Sequence, residues 1–164
     1  MPGQSQLLLT LATNVRLFSG IPMVQLEKLL KCADKISIPS QALFFNEGDI
    51  GNSFYILLFG HVAVEQSRNG QWITLATLHP GDSFGEMALV DAKRRSARVR
   101  ANTECTALFF NTERLSVSSE ITSALYHNIA KVLVTRLRDS NNVVLDLTCQ
   151  MNKPRPAPLA RLGG

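Results

Sequence analysis

Three cysteines, one tryptophan and three histidines are few for a chain of 164 residues, and their placement narrows the chemistry further. Cys32, Cys105 and Cys149 are odd in number and far apart, with no CxxC pair and no histidine near enough to complete a zinc signature. That pattern argues against a disulfide framework and against a metal centre, and the three read as reduced, mostly buried thiols. His61, His79 and His127 fall on a strand, a turn and a helix, and no Ser/His/acid or paired-carboxylate arrangement accompanies them. No catalytic residue and no prosthetic group is therefore expected. Long hydrophobic runs are missing as well. The opening "MPGQSQLLLTLATN" has an apolar stretch with no basic residue before it, and Asn14 and Arg16 end it well short of the roughly 20 residues that span a bilayer. Neither a membrane segment nor a secretory signal is expected, which leaves a cytoplasmic location as the default.

What is present suits a single domain with a sizeable core. The chain is 45% apolar and 18% charged, an ordinary balance for a soluble globular protein. Its formal charge of +4 would suit a polyanion, but five of the 17 basic residues sit in one short stretch, so the overall charge decides little. Six of the ten glycines (Gly48, Gly51, Gly60, Gly70, Gly81 and Gly85) fall between 48 and 85, and none occurs from Glu86 to Leu162. Tight turns are thus concentrated in the middle. Before that region Leu8, Leu11, Val15 and Phe18 are spaced by three or four, and "PMVQLEKLLKCA" places Leu26, Leu29 and Leu30 on one helical face behind a proline suited to a first turn. Two short helices follow, within about 7–32.

The middle, about 33–111, changes period. "KISIP", "ALFFNEGD", "FYILLFG", "HVAVEQ", "QWITLATLH", "RSARVRA" and "CTALFFN" are short runs of β-branched and aromatic residues broken by Gly, Pro, Asn and Asp. The Asn-Gly of "SRNGQ" reads as a hairpin turn. The fold class is mainly β, an antiparallel roll with flanking helices. From Glu120 to Leu147 there are 28 residues without Gly or Pro, and Ile121, Leu125, Ile129, Leu133 and Leu137 recur at every fourth position. A helix of that length reaches about 40 Å, more than a small roll covers. The rest of its apolar stripe, through Val143, Val144 and Leu147, is expected to meet a second copy of the chain in a homodimer. The expected organisation is one domain over 1–147, its C-terminal helices within about 112–147. The proline-rich 148–164 would be a flexible tail.

The densest charge lies in "FGEMALVDAKRRSARVRA", where Lys93, Arg94, Arg95, Arg98 and Arg100 follow Glu86. Strand parity separates them. Arg95 shares a face with Ala97, Val99 and Ala101, whereas Arg98 and Arg100 lie on the other face, toward solvent. A guanidinium aimed at a core keeps its charge and needs an anion held in a fork, either a protein carboxylate or a ligand. "PGDSFGEMALV" runs from a glycine turn into a short helical start, so its free N–H groups form an anion nest that Gly85 lets a phosphate approach. Beside a phosphate, Glu86 makes sense as an acceptor for a ligand hydroxyl such as a ribose 2′-OH. The alternative is an internal Glu86–Arg95 ion pair with no ligand. Nucleic acid is the weaker reading of the remaining charges, because no recognition helix or aromatic platform accompanies them, and a solvated rim is the simpler one.

"FGEMAL", followed nine residues after its glutamate by "RSARVRA", resembles the phosphate-binding cassette of cyclic nucleotide-binding domains. Such domains occur in bacterial catabolite-activator-type regulators, in regulatory subunits of cAMP-dependent kinase and in nucleotide-gated channels. "LFSGIPMVQLEKLL", "FFNEGDIGNSFYILLFGHVAVE", "LHPGDSFGE" and "LVTRLRDSNN" are similar to that family's leading helices, second to fourth strands, cassette approach and long helix. The resemblance covers about Leu17 to Leu147. It implies that Gly85, Met87 and Ala88 present backbone groups to a cyclic phosphate, that Arg95 pairs with it, that Ser96 adds a hydroxyl and that Glu86 holds the ribose. Val64 and Leu75 would line the purine pocket, with Arg136, Ser140 and Asn141 facing the base from the long helix. The implied ligand is cAMP, with cGMP as the alternative, and the implied role is a regulatory sensor whose C-terminal helix moves on binding and acts on an unidentified effector protein. Only 17 residues follow Leu147, too few for the helix-turn-helix of the bacterial regulators, so no direct DNA binding is expected. A module of the same fold that dimerises but has lost the nucleotide remains the other reading.

Overall fold

A computed structural model describes residues 2–87, 90, 94–115 and 118–151. The chain forms two compact units, Met1–Ala130 and Lys131–Gly164. All strands belong to the first unit. Helix α1 spans Pro2–Asn14, a 3-10 turn covers Arg16–Phe18, and α2 spans Met23–Leu30. Eight strands follow, namely β1 (Ala33–Ile38), β2 (Leu43–Phe45), β3 (Ser53–Phe59), β4 (Val62–Arg68), β5 (Gln71–Leu78), β6 (Ser83–Phe84), β7 (Arg98–Ala101) and β8 (Cys105–Asn111). A second 3-10 turn (Thr112–Arg114) leads toward the long helix α3, Ser119–Met151.

The strands make two four-stranded antiparallel sheets, ordered β1-β8-β3-β6 and β2-β7-β4-β5. Seven of the eight follow the apolar runs of the sequence. The two-residue β6 is too short to show an alternation of its own. Asn69 and Gly70 both adopt positive φ, 51° and 77°, as the two-residue turn between β4 and β5 requires. β3 is buried on both faces from Ser53 to Leu57, which is why "FYILL" reads as a continuous apolar run. One face turns into the roll, where Tyr55, Leu57, Val62, Leu78, Phe84, Val99, Ala101 and Cys105 form a buried cluster. There Tyr55 stacks on Phe84 at 5.0 Å, and Phe44 meets Phe84 edge-on at 4.9 Å. The other face carries Phe54 and Ile56, with Phe54 stacked on Phe110 at 4.6 Å and Phe110 met edge-on by Phe18 of the 3-10 turn at 6.3 Å. Each such buried side chain contributes about 2 kcal/mol by transfer from water.

The first turns of α3 bury Ile121, Leu125 and Ile129. The buried Asn128 ties them to the N-terminal layer by donating to the carbonyls of Leu17 and Ser19, at 2.9 and 2.8 Å. In the second unit the helix runs to Met151, past the boundary at 147 read from the sequence, and 152–164 lie outside the described residues. There Val134, Leu137, Val143, Val144, Leu145, Leu147 and Met151 are exposed. The cysteines depart from expectation. Only Cys105 is buried, Cys32 is half-buried, and Cys149 stands exposed on α3. No helix among the described residues is long and apolar enough to cross a membrane.

One feature of the second sheet corrects the sequence reading. Arg98 and Arg100 do lie on the outward face of β7, but they are not a solvated rim. Glu65, opposite them on β4 and only 4% exposed, accepts from Arg98 Nε at 2.8 Å and from Arg100 Nη2 at 2.8 Å. Arg100 also donates to Gln41 Oε1 at 2.6 Å, and the Arg98 guanidinium lies over the Trp72 ring at 3.5 Å. Cross-strand pairing on the outer face has absorbed both charges. Hydrogen bonding from Arg100, then from Arg98, outweighs burial and holds the Glu65 carboxyl below its ordinary value of 4.5. A depressed folded-state value means that the carboxylate's contribution to stability is complete above that ordinary value and fades as pH falls toward the folded one. Glu65→Gln is expected to lower unfolding free energy by about 1–3 kcal/mol at neutral pH, because two half-buried cations lose their anion. Urea titrations of both proteins from pH 7 to pH 3 should show the gap narrowing below about pH 4.

Candidate functional site

Arg95 just precedes β7, and its backbone is fixed by the turn between β2 and β3. Gly48 N–H donates to Arg95 O, Arg95 N–H donates to Asp49 O, and the Asp49 carboxylate accepts from Asn46 N–H at 2.7 Å. Parity holds here although 95–97 stand outside the ladder: Arg95 and Ala97 are buried and Ser96 is exposed. The Arg95 side chain is 8% exposed. Its Nη1 donates to Gly85 O at 2.9 Å, and its Nη2 donates to both the carbonyl and the hydroxyl of Ser53, at 2.7 and 2.9 Å. The Phe45 ring covers its face, with Cζ 4.1 Å from the ring centroid. Buried Nε has no hydrogen-bond partner among the described residues.

All of these partners are neutral. Among the described residues no carboxylate lies within ion-pair distance of Arg95, so the internal Glu86–Arg95 pair weighed from the sequence is not formed. Burial pushes the Arg95 guanidinium below its ordinary value, against the smaller opposing fields of Tyr55, Asp49 and Glu86. Such a cation has the environment of a charge waiting for an anion.

Gly85 supplies the other wall. Its φ of +76° is in the left-handed region, and a Cβ there would lie 2.7 Å from Arg95 Nη1 and 3.1 Å from Ser53 O. Glycine is required for both reasons. Glu86, next in sequence, is 1% exposed. Met87 is exposed, its carbonyl accepts from Val90 N–H at 2.9 Å, and its sulfur lies 4.0 Å from the Ser96 hydroxyl. Gln66 Nε2 donates to Ser96 O at 3.2 Å. Gly85, Glu86, Met87, Arg95 and Ser96 thus come together as one cassette, while Ala88 lies outside the described residues. Arg94 bonds to Gly48 O at 2.8 Å, and Lys93 lies outside the described residues.

Val64 is half-buried and packs on the interior cluster. Leu75 is 58% exposed and has no partner in the ladder, because Val64 pairs with Ala76 and Glu65 with Thr74 across a β-bulge. Arg136 is half-buried, and Ser140 and Asn141 are exposed; all three belong to the second unit. Sequence reasoning missed Ser53, Phe45 and Glu65. A serine before "FYILL" carries no signal, but Glu65 does: an acid at outward parity on one strand faces two outward arginines on another. Among the described residues no group of three or more His, Cys, Asp or Glu is placed to hold a metal ion.

A buried arginine with no carboxylate partner among the described residues, beside a glycine turn in an antiparallel roll, is an arrangement suited to a small anion, and comparison with known proteins gives the family. Residues 35–116 match the family described as the cyclic nucleotide-binding domain, and the chain belongs to that family. It is 34% identical over 134 residues to the cyclic AMP receptor protein of Thermus thermophilus, covering 80% of this chain and 61% of that protein. It is 37% identical over 91 residues to the cAMP-dependent protein kinase regulatory subunit of Emericella nidulans, covering 56% of this chain and 22% of the subunit. The chain thus spans less than two thirds of these relatives. A crystal structure of a cyclic nucleotide-binding domain from Methylobacillus flagellatus superposes with a TM-score of 0.77 over 95% of this chain and 88% of that one, at 19% identity, a likeness of fold.

Gly85→Ala adds a Cβ against Arg95 and forces a left-handed alanine. A loss of about 1–3 kcal/mol is expected, measurable as a lower melting temperature with the β-rich circular dichroism spectrum unchanged.

Proposed function

We propose that this chain is a regulatory domain that binds a 3′,5′-cyclic nucleotide, cAMP in preference to cGMP, and is not itself an enzyme. The observation that carries this reading is the buried Arg95 guanidinium, held by three hydrogen bonds to neutral oxygens and, among the described residues, by no carboxylate. A singly charged cyclic phosphate supplies the missing anion without overloading the site. Backbone groups of Gly85, Met87 and Ala88 meet its oxygens, Ser96 adds a hydroxyl, and Glu86 accepts from the ribose 2′-OH. Val64 and the bulged Leu75 lie under the purine. The names of the relatives, a cyclic AMP receptor and a cAMP-dependent kinase subunit, favour adenine.

In this reading the ligand acts through what differs between the free and bound states. Neutralising Arg95 shifts α3, and the shift is read by an effector protein. The exposed apolar residues from Val134 to Met151 support a homodimer through that helix, since an apolar face of this length is stable only when covered.

Isothermal calorimetry with cAMP and with cGMP tests the proposal. Saturable heat is expected, with cAMP tighter, and Arg95→Ala should weaken binding at least about 100-fold, because it removes the charge that holds the phosphate. At 100 times its dissociation constant cAMP should add about 2.7 kcal/mol to unfolding free energy. No heat with either nucleotide would overturn the reading in favour of a dimerising interaction module of the same fold.

A further inference from the structure

We infer that Ser53 is a positioning residue for the anion-binding arginine, a latch that fixes the Arg95 guanidinium before any ligand arrives. The inference rests on the reading of Arg95 as a phosphate ligand and extends it to a residue outside the cassette.

A guanidinium carries five N–H donors in a rigid plane, so its orientation is set by whichever donors are already engaged. In Arg95 three hydrogen bonds are made, and two of them go to one residue. Ser53 takes Nη2 with its carbonyl at 2.7 Å and with its hydroxyl at 2.9 Å, while Gly85 O takes Nη1. Phe45 covers one face of the plane at 4.1 Å. These bonds and the ring on one face together restrict the plane, and two N–H groups are left over: one on Nη1 and that of Nε, the guanidinium nitrogen with no partner among the described residues.

Ser53 is itself immobile. It is 5% exposed, it begins β3, and it pairs in register with Asn111 of β8 in the first sheet. Arg95 leads into β7 of the second sheet, with its backbone clamped by Gly48 and Asp49. The hydroxyl therefore joins the two sheets at the point where the phosphate is to be held. Fixing the fork in advance removes the cost of ordering a long side chain at the moment of binding, which is how preorganisation raises affinity. A serine that only filled space would not need to direct its hydroxyl at a buried cation already served by the same residue's carbonyl.

Ser53→Ala keeps the strand, the carbonyl and the volume, and removes only the hydroxyl acceptor. Three readouts on the full chain test the latch. By calorimetry Ser53→Ala should bind cAMP about five- to twentyfold more weakly, and Ser53→Thr should restore affinity to within about twofold. Adenosine, which keeps the base and ribose but lacks the phosphate, should bind Ser53→Ala as it binds the wild type. In ¹⁵N NMR of the ligand-free wild type, the Arg95 Nη groups should give separate signals from hindered rotation, and these should merge in Ser53→Ala. Wild-type cAMP affinity in Ser53→Ala, equal losses for cAMP and adenosine, or unchanged Arg95 signals would each overturn the latch. If the wild type binds no cyclic nucleotide, the functional proposal fails, and the NMR comparison still decides whether Ser53 holds Arg95.

Discussion

A guanidinium buried to 8% exposure and met, among the described residues, by neutral oxygens and a phenyl ring is the interaction around which the cassette is arranged. Carbonyls and hydroxyls satisfy its N–H groups, but they do not cancel its charge, and withdrawal from water costs several kcal/mol when no anion compensates. The surrounding residues make that state tolerable. Gly85 takes a left-handed backbone so that its carbonyl reaches Nη1 and no Cβ intrudes, Ser53 offers two acceptors from the edge of β3, and the turn at Gly48 and Asp49 holds the Arg95 backbone. The left-handed glycine and a buried charge without a carboxylate partner among the described residues fall in one place, an arrangement that suits an anion.

Arg98 and Arg100 make the contrast plain. They share a chain segment with Arg95, but the pleat turns them outward, where the single Glu65 carboxylate bridges both and Trp72 and Gln41 complete their surroundings. Two faces of one short stretch therefore reach opposite electrostatic outcomes. On the outer face the protein supplies its own anion, and the pair stiffens the ladder of β4 and β7. Inside, the anion is left out.

Much of this was legible along the chain, and the reasons are local. Short aromatic and β-branched runs separated by glycines mark a roll because turns and alternation depend on near neighbours. Asn69-Gly70 marks its hairpin because few residue pairs accept two positive φ angles. The nine-residue interval from Glu86 to Arg95 and the parity of Arg95 against Ala97, Val99 and Ala101 were enough to single out the buried charge. Ser53 and Phe45 were not legible, since each lies more than forty residues from Arg95 and nothing near either one signals a guanidinium. β6 was missed because two residues cannot show a period, and α3 runs past Leu147 to Met151 with no glycine or proline there to mark its end.

The sequence by itself determined the class of fold, the hairpin, the long helix and which arginine of the charged stretch turns inward, because each depends on periodicity or on backbone preferences that act within a few residues. Only the tertiary structure decided who answers each charge. Whether Arg95 would meet Glu86 or stand apart, and whether Arg98 and Arg100 would be solvated or bridged by Glu65, depended on strand pairing between distant segments. A salt bridge is settled by a few ångströms across a sheet, and that distance is not written in the order of residues.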